Sequence, residues 1–313
     1  MGRYLLNRIA GLVAVLLAVS AITFALMHAV PSGPFDIMGL NVSVQIPDGV
    51  KAQLEKAYGL DKPVWQQYLI FMKNAVRLDF GYSFYFQGQT VTQILAKQWP
   101  YSIQLGLMTM AFSVVVGVGL GIAAAMKPNT WIDYFGTGVT IFCLATPSFV
   151  LAVLLQLLFS VQLHWVPTGG WTEPKQWILP VLANSLGPVL ILQRFTRASV
   201  SDVLGSNYVR TARAKGMPAR TVTFIHIFKN ALTPLITVGG PMVAGLMVGS
   251  VFIEQIFRVP GVGQFFVSAV GQRDYPLIMA TTLAWTAIIS VAYLLTDLAY
   301  AVVDPRVTFV KES

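Results

Sequence analysis

The stretch "YVRTARAKGMPARTVTFIHIFKN", Tyr208–Asn230, holds five basic residues and no acidic one. Around it, a chain of 313 residues is 55% hydrophobic and only 11% charged, with a mean hydropathy of +0.66. Soluble domains carry about a quarter charged residues, so the surroundings read as membrane protein and the stretch as a polar interruption between spans. Ser206 is placed to cap a short helix that Gly216 stops, and Pro218 suits the start of a second. A helix of about ten residues is marginal alone and needs a surface. Anionic lipid attracts basic interfacial helices; a groove on another protein is the alternative. The residues by themselves leave both open.

Working outward, six stretches approach the roughly 20 apolar residues that cross a bilayer: Ile9–Val30, Tyr101–Met126, Tyr134–Leu163, Trp177–Gln193, Ala231–Ile253 and Pro276–Tyr300. Asp297 is the one charged side chain inside them, near an end, where a boundary role is expected. The first stretch is too long for a signal-peptide core and has a poor cleavage site, so it reads as an anchor. Basic residues favour the cytoplasmic side in short loops. With the N-terminus inside, short inner segments hold twelve Lys and Arg and short outer ones three. The other six lie in the long outer segment 31–98. Both termini are therefore expected in the cytoplasm, and the net charge of +8 reflects topology rather than nucleic-acid binding.

The outer segment reads as a small folded cap. Asp48 is placed to start a helix over 50–58 that Gly59 stops, and Pro63 a second, with Val64, Leu69, Met72 and Val76 near one face. Gly117–Gly121 and Gly245–Gly249 each form the G-x-x-x-G spacing of close helix contact. Pro147, Pro188 and Pro241 are expected to kink or open their helices.

Chemistry is sparse. No P-loop motif occurs, so the chain is not expected to cradle nucleotide phosphates in that manner. His28, His164, His226 and the lone Cys143 form no metal-ligand pattern. Spans one to five lack carboxylates, unlike proton-coupled carriers, which need ionisable groups in the membrane. Glu254 and Arg258 stand four apart, either as a surface pair or in an outer site. Polar positions able to line a pathway are Gln104, Thr146, Ser148, Asn184, Ser185, Thr282 and Thr286. Each can equally bond to its own or a neighbouring helix.

These residues resemble a known family. "RTARAKG" (210–216) between the fourth and fifth spans resembles the coupling loop of membrane subunits in binding-protein-dependent ABC importers, in the wording of the peptide and nickel branch. "PSGPF" (31–35), "YGLDKPVWQQY" (58–68), "LDFGYSF" (78–84), "HWVPTGGW" (164–171), "IEQIFRVPGVGQFF" (253–266), "RDYPL" (273–277) and "VDPR" (303–306) follow in the order of the first, B-type subunit.

The resemblance implies an all-α fold of six transmembrane helices, the type I ABC importer domain. It implies a first helix plus outer segment (1–98) and a five-helix core (99–313) with coupling loop 194–230. Tyr208, Arg210, Thr211, Ala212, Arg213, Ala214, Lys215 and Gly216 would engage an ATPase. Glu254, Arg258, Arg273 and Asp274 would belong to an outer gate or docking site formed by 31–98 with 254–275.

Implied partners are a homologous second membrane subunit, two ATPases that bind ATP and Mg, an extracytoplasmic binding protein, peptide cargo and lipid. The implied location is a bacterial or archaeal cytoplasmic membrane, and the chain itself is non-catalytic. Oligopeptides fit best; nickel, oligosaccharides or another small solute are alternatives, as is a non-transporting anchor for ATPases.

Overall fold

The computed structural model describes residues 2–30, 56, 59–86, 88–131, 134, 138–139, 142–143, 145–218 and 229–303. Within these, side chains are described except at 2–5, 212–213, 229–237 and 297–303. The described residues are helical apart from loops and one isolated antiparallel bridge, Tyr82 to Thr90. In chain order the helices are α1 (Gly2–Ala29), α2 (Val64–Ala75), α3 (Val91–Met126), α4 (Ser148–Gln162) and α5 (Pro174–Leu204). They continue as α6 (Asn207–Ala214), α7 (Lys229–Met247), α8 (Val251–Phe257), α9 (Val262–Gln272) and α10 (Tyr275–Val303).

Four of them are long and apolar enough to cross a membrane: Leu6–Ala29 of α1, all of α3 and α5, and Tyr275–Thr296 of α10. A bent pair, Val238–Met247 with Val251–Phe257, adds a fifth. The apolar helix α4 occupies the second half of the expected third span. Residues 135–137, 140–141 and 144 of that span's first half lie outside the described residues, as do the helix proposed for 50–58 (Lys56 apart) and His226.

The chain divides into two compact units. One comprises residues 1–100 and 261–290, the other 101–260 and 291–313. The core of the first is Met27, Val91, Ile94, Leu95, Ala269 and Leu277–Ala280, flanked by Phe24, Phe71, Phe80, Phe86 and Phe265. In the second, α5 is central and packs against α3, α4, α7 and α8.

The α3 seam of that second unit is built from small residues. Ser102, Gly106, Thr109, Ser113, Gly117 and Gly121 follow at spacings of three and four, and a π-turn at Val114–Val118 widens the helix so that the later members stay in line. A methyl group on Gly106 would meet the Leu246 carbonyl oxygen at 2.5 Å; one on Gly117 would meet that of Val189 at 2.7 Å. Gly117–Gly121 is therefore a contact motif, as its spacing implies. In Gly245–Gly249 only the second glycine makes such an approach, a methyl there lying 3.1 Å from Ser102 Oγ of α3. Gly245 has nothing near its missing side chain, and Gly249 (φ +100°) is where the fifth span breaks.

Of the three prolines, Pro147 opens its span as expected, with no helix at 146–147. Pro188 and Pro180 lie within the continuous 31-residue α5, and Pro241 lies within α7. The 49° bend comes instead at 248–250, because a glycine in the left-handed region cannot continue a right-handed helix. Pro147 stands just before α4, where its missing N–H costs nothing. The fourth span is also longer than its apolar core, since α5 carries Arg194–Leu204 on as helix.

The cap helix α2 begins after Pro63 as expected, and of the four apolar residues near one face only Met72 is half-buried. Val64, Leu69 and Val76 are exposed. The side that packs carries Gln67, Tyr68 and Phe71: Tyr68 and Ser20 hydroxyls meet at 2.8 Å, and Gln67 Oε1 lies 3.3 Å from His28 Nε2.

Candidate functional site

The eight-residue α6 is too short to hold alone. It is secured by Val209, fully buried among Ala125 and Val200 with Ile122, Val203, Leu204 and Met217 around them. These come from the ends of α3 and α5 and from the residues following α6, so the surface that α6 needs begins with its own chain. Ser206 precedes the helix, but its hydroxyl donates to the Val203 carbonyl (2.6 Å) and ties α6 back to α5. The expected cap is therefore a link, because a side-chain bond to the preceding turn competes with capping. Tyr208, Arg210, Thr211, Ala214 and Lys215 are exposed. Gly216 ends the turn at φ +72°, with open space where a side chain would be. The side chains of Ala212 and Arg213 lie outside the described residues.

Residues expected at an outer site are placed differently. Asp274 is fully buried and caps α10, accepting from the Leu277 N–H at 3.3 Å. Its other oxygen accepts from the Ser83 hydroxyl and, at 3.3 Å, the Tyr85 N–H. It thus staples "LDFGYSF" to "RDYPL", and the rings of Phe84 and Tyr275 lie 6.3 Å apart beside it. Arg273 precedes it, half-buried with φ +52°. Asp274→Ala is expected to cost about 2–3 kcal/mol through loss of a cap and charged hydrogen bonds. Faster protease cleavage within 78–90 would register it; unchanged cleavage would remove the staple.

Glu254 is likewise buried. It accepts from Ser102 Oγ at 2.7 Å, and a methyl on Gly249 would meet its Oε1 at 2.7 Å. Arg258 is exposed and ends α8 at φ +54°. The surface pair of Glu254 and Arg258 is thereby corrected: the carboxylate turns inward to α3. "HWVPTGGW" docks on the same helix. The Gly170 N–H donates to the Phe257 carbonyl (2.8 Å), and Gln156 Nε2 donates to Thr168 (2.6 Å) and Ile256 (3.2 Å) carbonyls. Trp171, buried, donates through Nε1 to Gln104 Oε1 at 3.0 Å.

Among the candidate pathway positions, most hydroxyls are already bonded locally. Thr146, Ser185, Thr282 and Thr286 donate to Phe142, Leu182, Ile278 and Thr282 carbonyls at 2.8 Å. Ser148 is exposed at the start of α4. Asn184 donates to Thr109 Oγ1 (3.2 Å), and this contact with Gln104–Trp171 shows both amides reaching neighbouring elements of the second unit. Ser102, Thr109 and Ser113, buried on α3, were absent from the expected set. Their three-to-four spacing with the glycines was the signal that could have found them. Among the described residues, no group of three or more His, Cys, Asp or Glu could hold a metal ion.

Comparison with known proteins agrees with this architecture. Residues 117–309 match the family described as binding-protein-dependent transport system inner membrane component, and residues 1–106 match its N-terminal domain model. The chain is 38% identical over 313 residues to the dipeptide transport system permease protein DppB of Bacillus subtilis, covering 100% of both. It is 37% identical to the oligopeptide transport system permease protein OppB of Salmonella typhimurium, covering 98% of this chain and 99% of that one.

Two solved structures, an amino acid ABC transporter and the inward-facing methionine transporter MetNI, share the fold at TM-scores of 0.54 and 0.55 and 14% identity. Each covers 67% of this chain, and 94% or 96% of the other. With both family models matched in order along an apolar helical chain, the protein belongs to the binding-protein-dependent transport system inner membrane components.

Proposed function

We propose that this chain is one membrane half of an ATP-driven importer of oligopeptides and dipeptides, and that it hydrolyses nothing itself. It lies in the cytoplasmic membrane with both termini inside, built as six spans, with 1–98 as first helix plus outer segment and 99–313 as the permease core. A homologous second subunit completes the pathway. Two ATPases, which carry ATP and Mg, engage α6 within the loop 194–230, and an extracytoplasmic binding protein delivers peptide to the outer face. The observation that carries the proposal is α6 itself: an apolar pin at Val209 beneath an exposed Tyr208, Arg210, Thr211 and Lys215, in a chain matched end to end by a dipeptide permease protein.

Because α6 is held to the ends of α3 and α5 by packing, movement of an ATPase against it would be passed to those helices as a rigid displacement. Binding and hydrolysis of ATP would then alternate the pathway between outward and inward access. Neutral, locally bonded polar groups in the spans suit a cargo recognised loosely by size and backbone polarity.

Gly216 tests the lever. Valine resists positive φ at a cost of about 1–3 kcal/mol, and the space around Gly216 is open, so strain in the backbone is the whole effect. With ATPases, second subunit and binding protein reconstituted in vesicles, Gly216→Val is expected to lower peptide uptake about tenfold per 1.4 kcal/mol of that strain. Gly216→Asn, which tolerates the left-handed region, is expected to retain most of it. Wild-type uptake by the valine variant would refute the lever. Uptake of nickel but not peptide by the native complex would change the cargo, and ATPase association without any flux would leave only an anchor.

A further inference from the structure

Helix α2 carries an apolar stripe that no other described residue covers. Trp65 (63% exposed), Leu69 (57%) and Val76 (84%) follow at four and seven residues along one side. No residue of α2 is fully buried. A water-facing helix would turn this stripe inward and its glutamine outward. Here Gln67 and Tyr68 face α1 instead.

The depth of that contact decides what covers the stripe. Tyr68 and Gln67 meet Ser20, Phe24 and His28 of α1, with Tyr68 and Phe24 rings 5.3 Å apart. All three α1 residues lie inside its apolar stretch, Leu6–Ala29, rather than beyond it. At 1.5 Å per residue, Ser20 to His28 corresponds to about 1.5–13.5 Å below the end of that stretch, which is the thickness of a headgroup layer and the upper acyl region. On the face of α1 turned away from α2, Ile22 and Leu26 are exposed at 59% and 63%, as on a helix that meets lipid. Lys62, Lys73 and Arg77 are exposed before, beside and after the stripe, and a tryptophan with flanking lysines is the composition that settles at a membrane interface. Their long stems let the charges reach headgroups while the stripe lies deeper.

We propose that α2 is an interfacial helix set into the non-cytoplasmic leaflet, with Trp65, Leu69 and Val76 against lipid acyl chains and Lys62, Lys73 and Arg77 at the headgroups. The outer segment is thereby divided: this side of α2 belongs to the bilayer, and only other surfaces of 31–98 are free for a binding protein. The proposal rests on α1 being a membrane span, so the test carries a separate control for that reading.

Four single cysteines are introduced for spin labels in a Cys143→Ala background: Leu69→Cys, Val76→Cys, Lys73→Cys and, on α1, Ile22→Cys. The assembled complex is placed in nanodiscs, and each label's collision rates with oxygen and with a water-soluble nickel chelate are compared. The expected oxygen-to-nickel ratio at Leu69 and Val76 is at least about threefold that at Lys73 and close to that at Ile22, as for an apolar face buried below the headgroups. A ratio at Leu69 and Val76 equal to that at Lys73, with Ile22 oxygen-rich, overturns the proposal while leaving α1 in the membrane. Exclusion of both reagents from Leu69 and Val76 overturns it in favour of a protein neighbour. A nickel-rich Ile22 overturns it together with the α1 span.

Discussion

Val209→Asp is expected to leave the protein in the membrane but to reduce ATP-driven peptide uptake by the reconstituted complex about a hundredfold or more. The valine is fully buried where α6 rests on Ala125, Val200 and Met217. An ionised carboxylate there would be desolvated without a partner, or would carry its neighbours into water. Either course costs several kcal/mol, on the order of 3 or more. An eight-residue helix has little intrinsic stability with which to resist, so α6 would detach and an ATPase would move it without moving α3 or α5. Hydrolysis should persist while uptake is lost. Val209→Ile, which keeps an apolar side chain of similar shape, should stay within a few-fold of the native rate. Uptake unaffected by the aspartate would show that α6 transmits nothing through this contact.

The second large effect is expected at Gly121. A side chain there would begin 2.5 Å from Thr196 Cβ and 2.7 Å from the Gln193 carbonyl oxygen. The latter is helix backbone, and α3 and α5 would have to separate. Gly121→Leu should cost about 3 kcal/mol or more, at the upper end of overpacking, and lower the thermal midpoint of the detergent-solubilised protein by several degrees. Gly119, two residues earlier, is the internal comparison. It is exposed with nothing within 4 Å of a built Cβ, so Gly119→Leu should leave the midpoint within about a degree of native, as surface changes usually do. Equal effects at the two positions would mean that α3 and α5 are not held by this seam.

Much of the architecture could be read from apolar run length. The spans of α1, α5 and α10 were visible because a bilayer demands about 20 apolar residues wherever a helix crosses it. Direction of facing was less legible. Periodicity placed Val64, Leu69, Met72 and Val76 near one face, but it does not say which way that face turns. Against lipid, apolar residues gain nothing by turning to protein.

Charged residues misled for a different reason. Glu254 and Asp274 look like surface groups, and their partners Ser102 and Ser83 lie 152 and 191 positions away in the chain. No local pattern announces such pairings. The family phrases were recognisable as words, but only the structure shows that they are read in pairs, "LDFGYSF" with "RDYPL" and "HWVPTGGW" with "IEQIF".

The break at Gly249 has a mechanical meaning. A straight rod loaded at one tip must shift the other tip too. Here helical bonding lapses at residues 248–250, so no continuous backbone ladder joins α7 to α8, and α8 is anchored through Phe257 to Gly170 and through Glu254 to Ser102. The joint removes the stiffness of a straight rod from this crossing, and the far end has its own footing in α3 and the loop before α5.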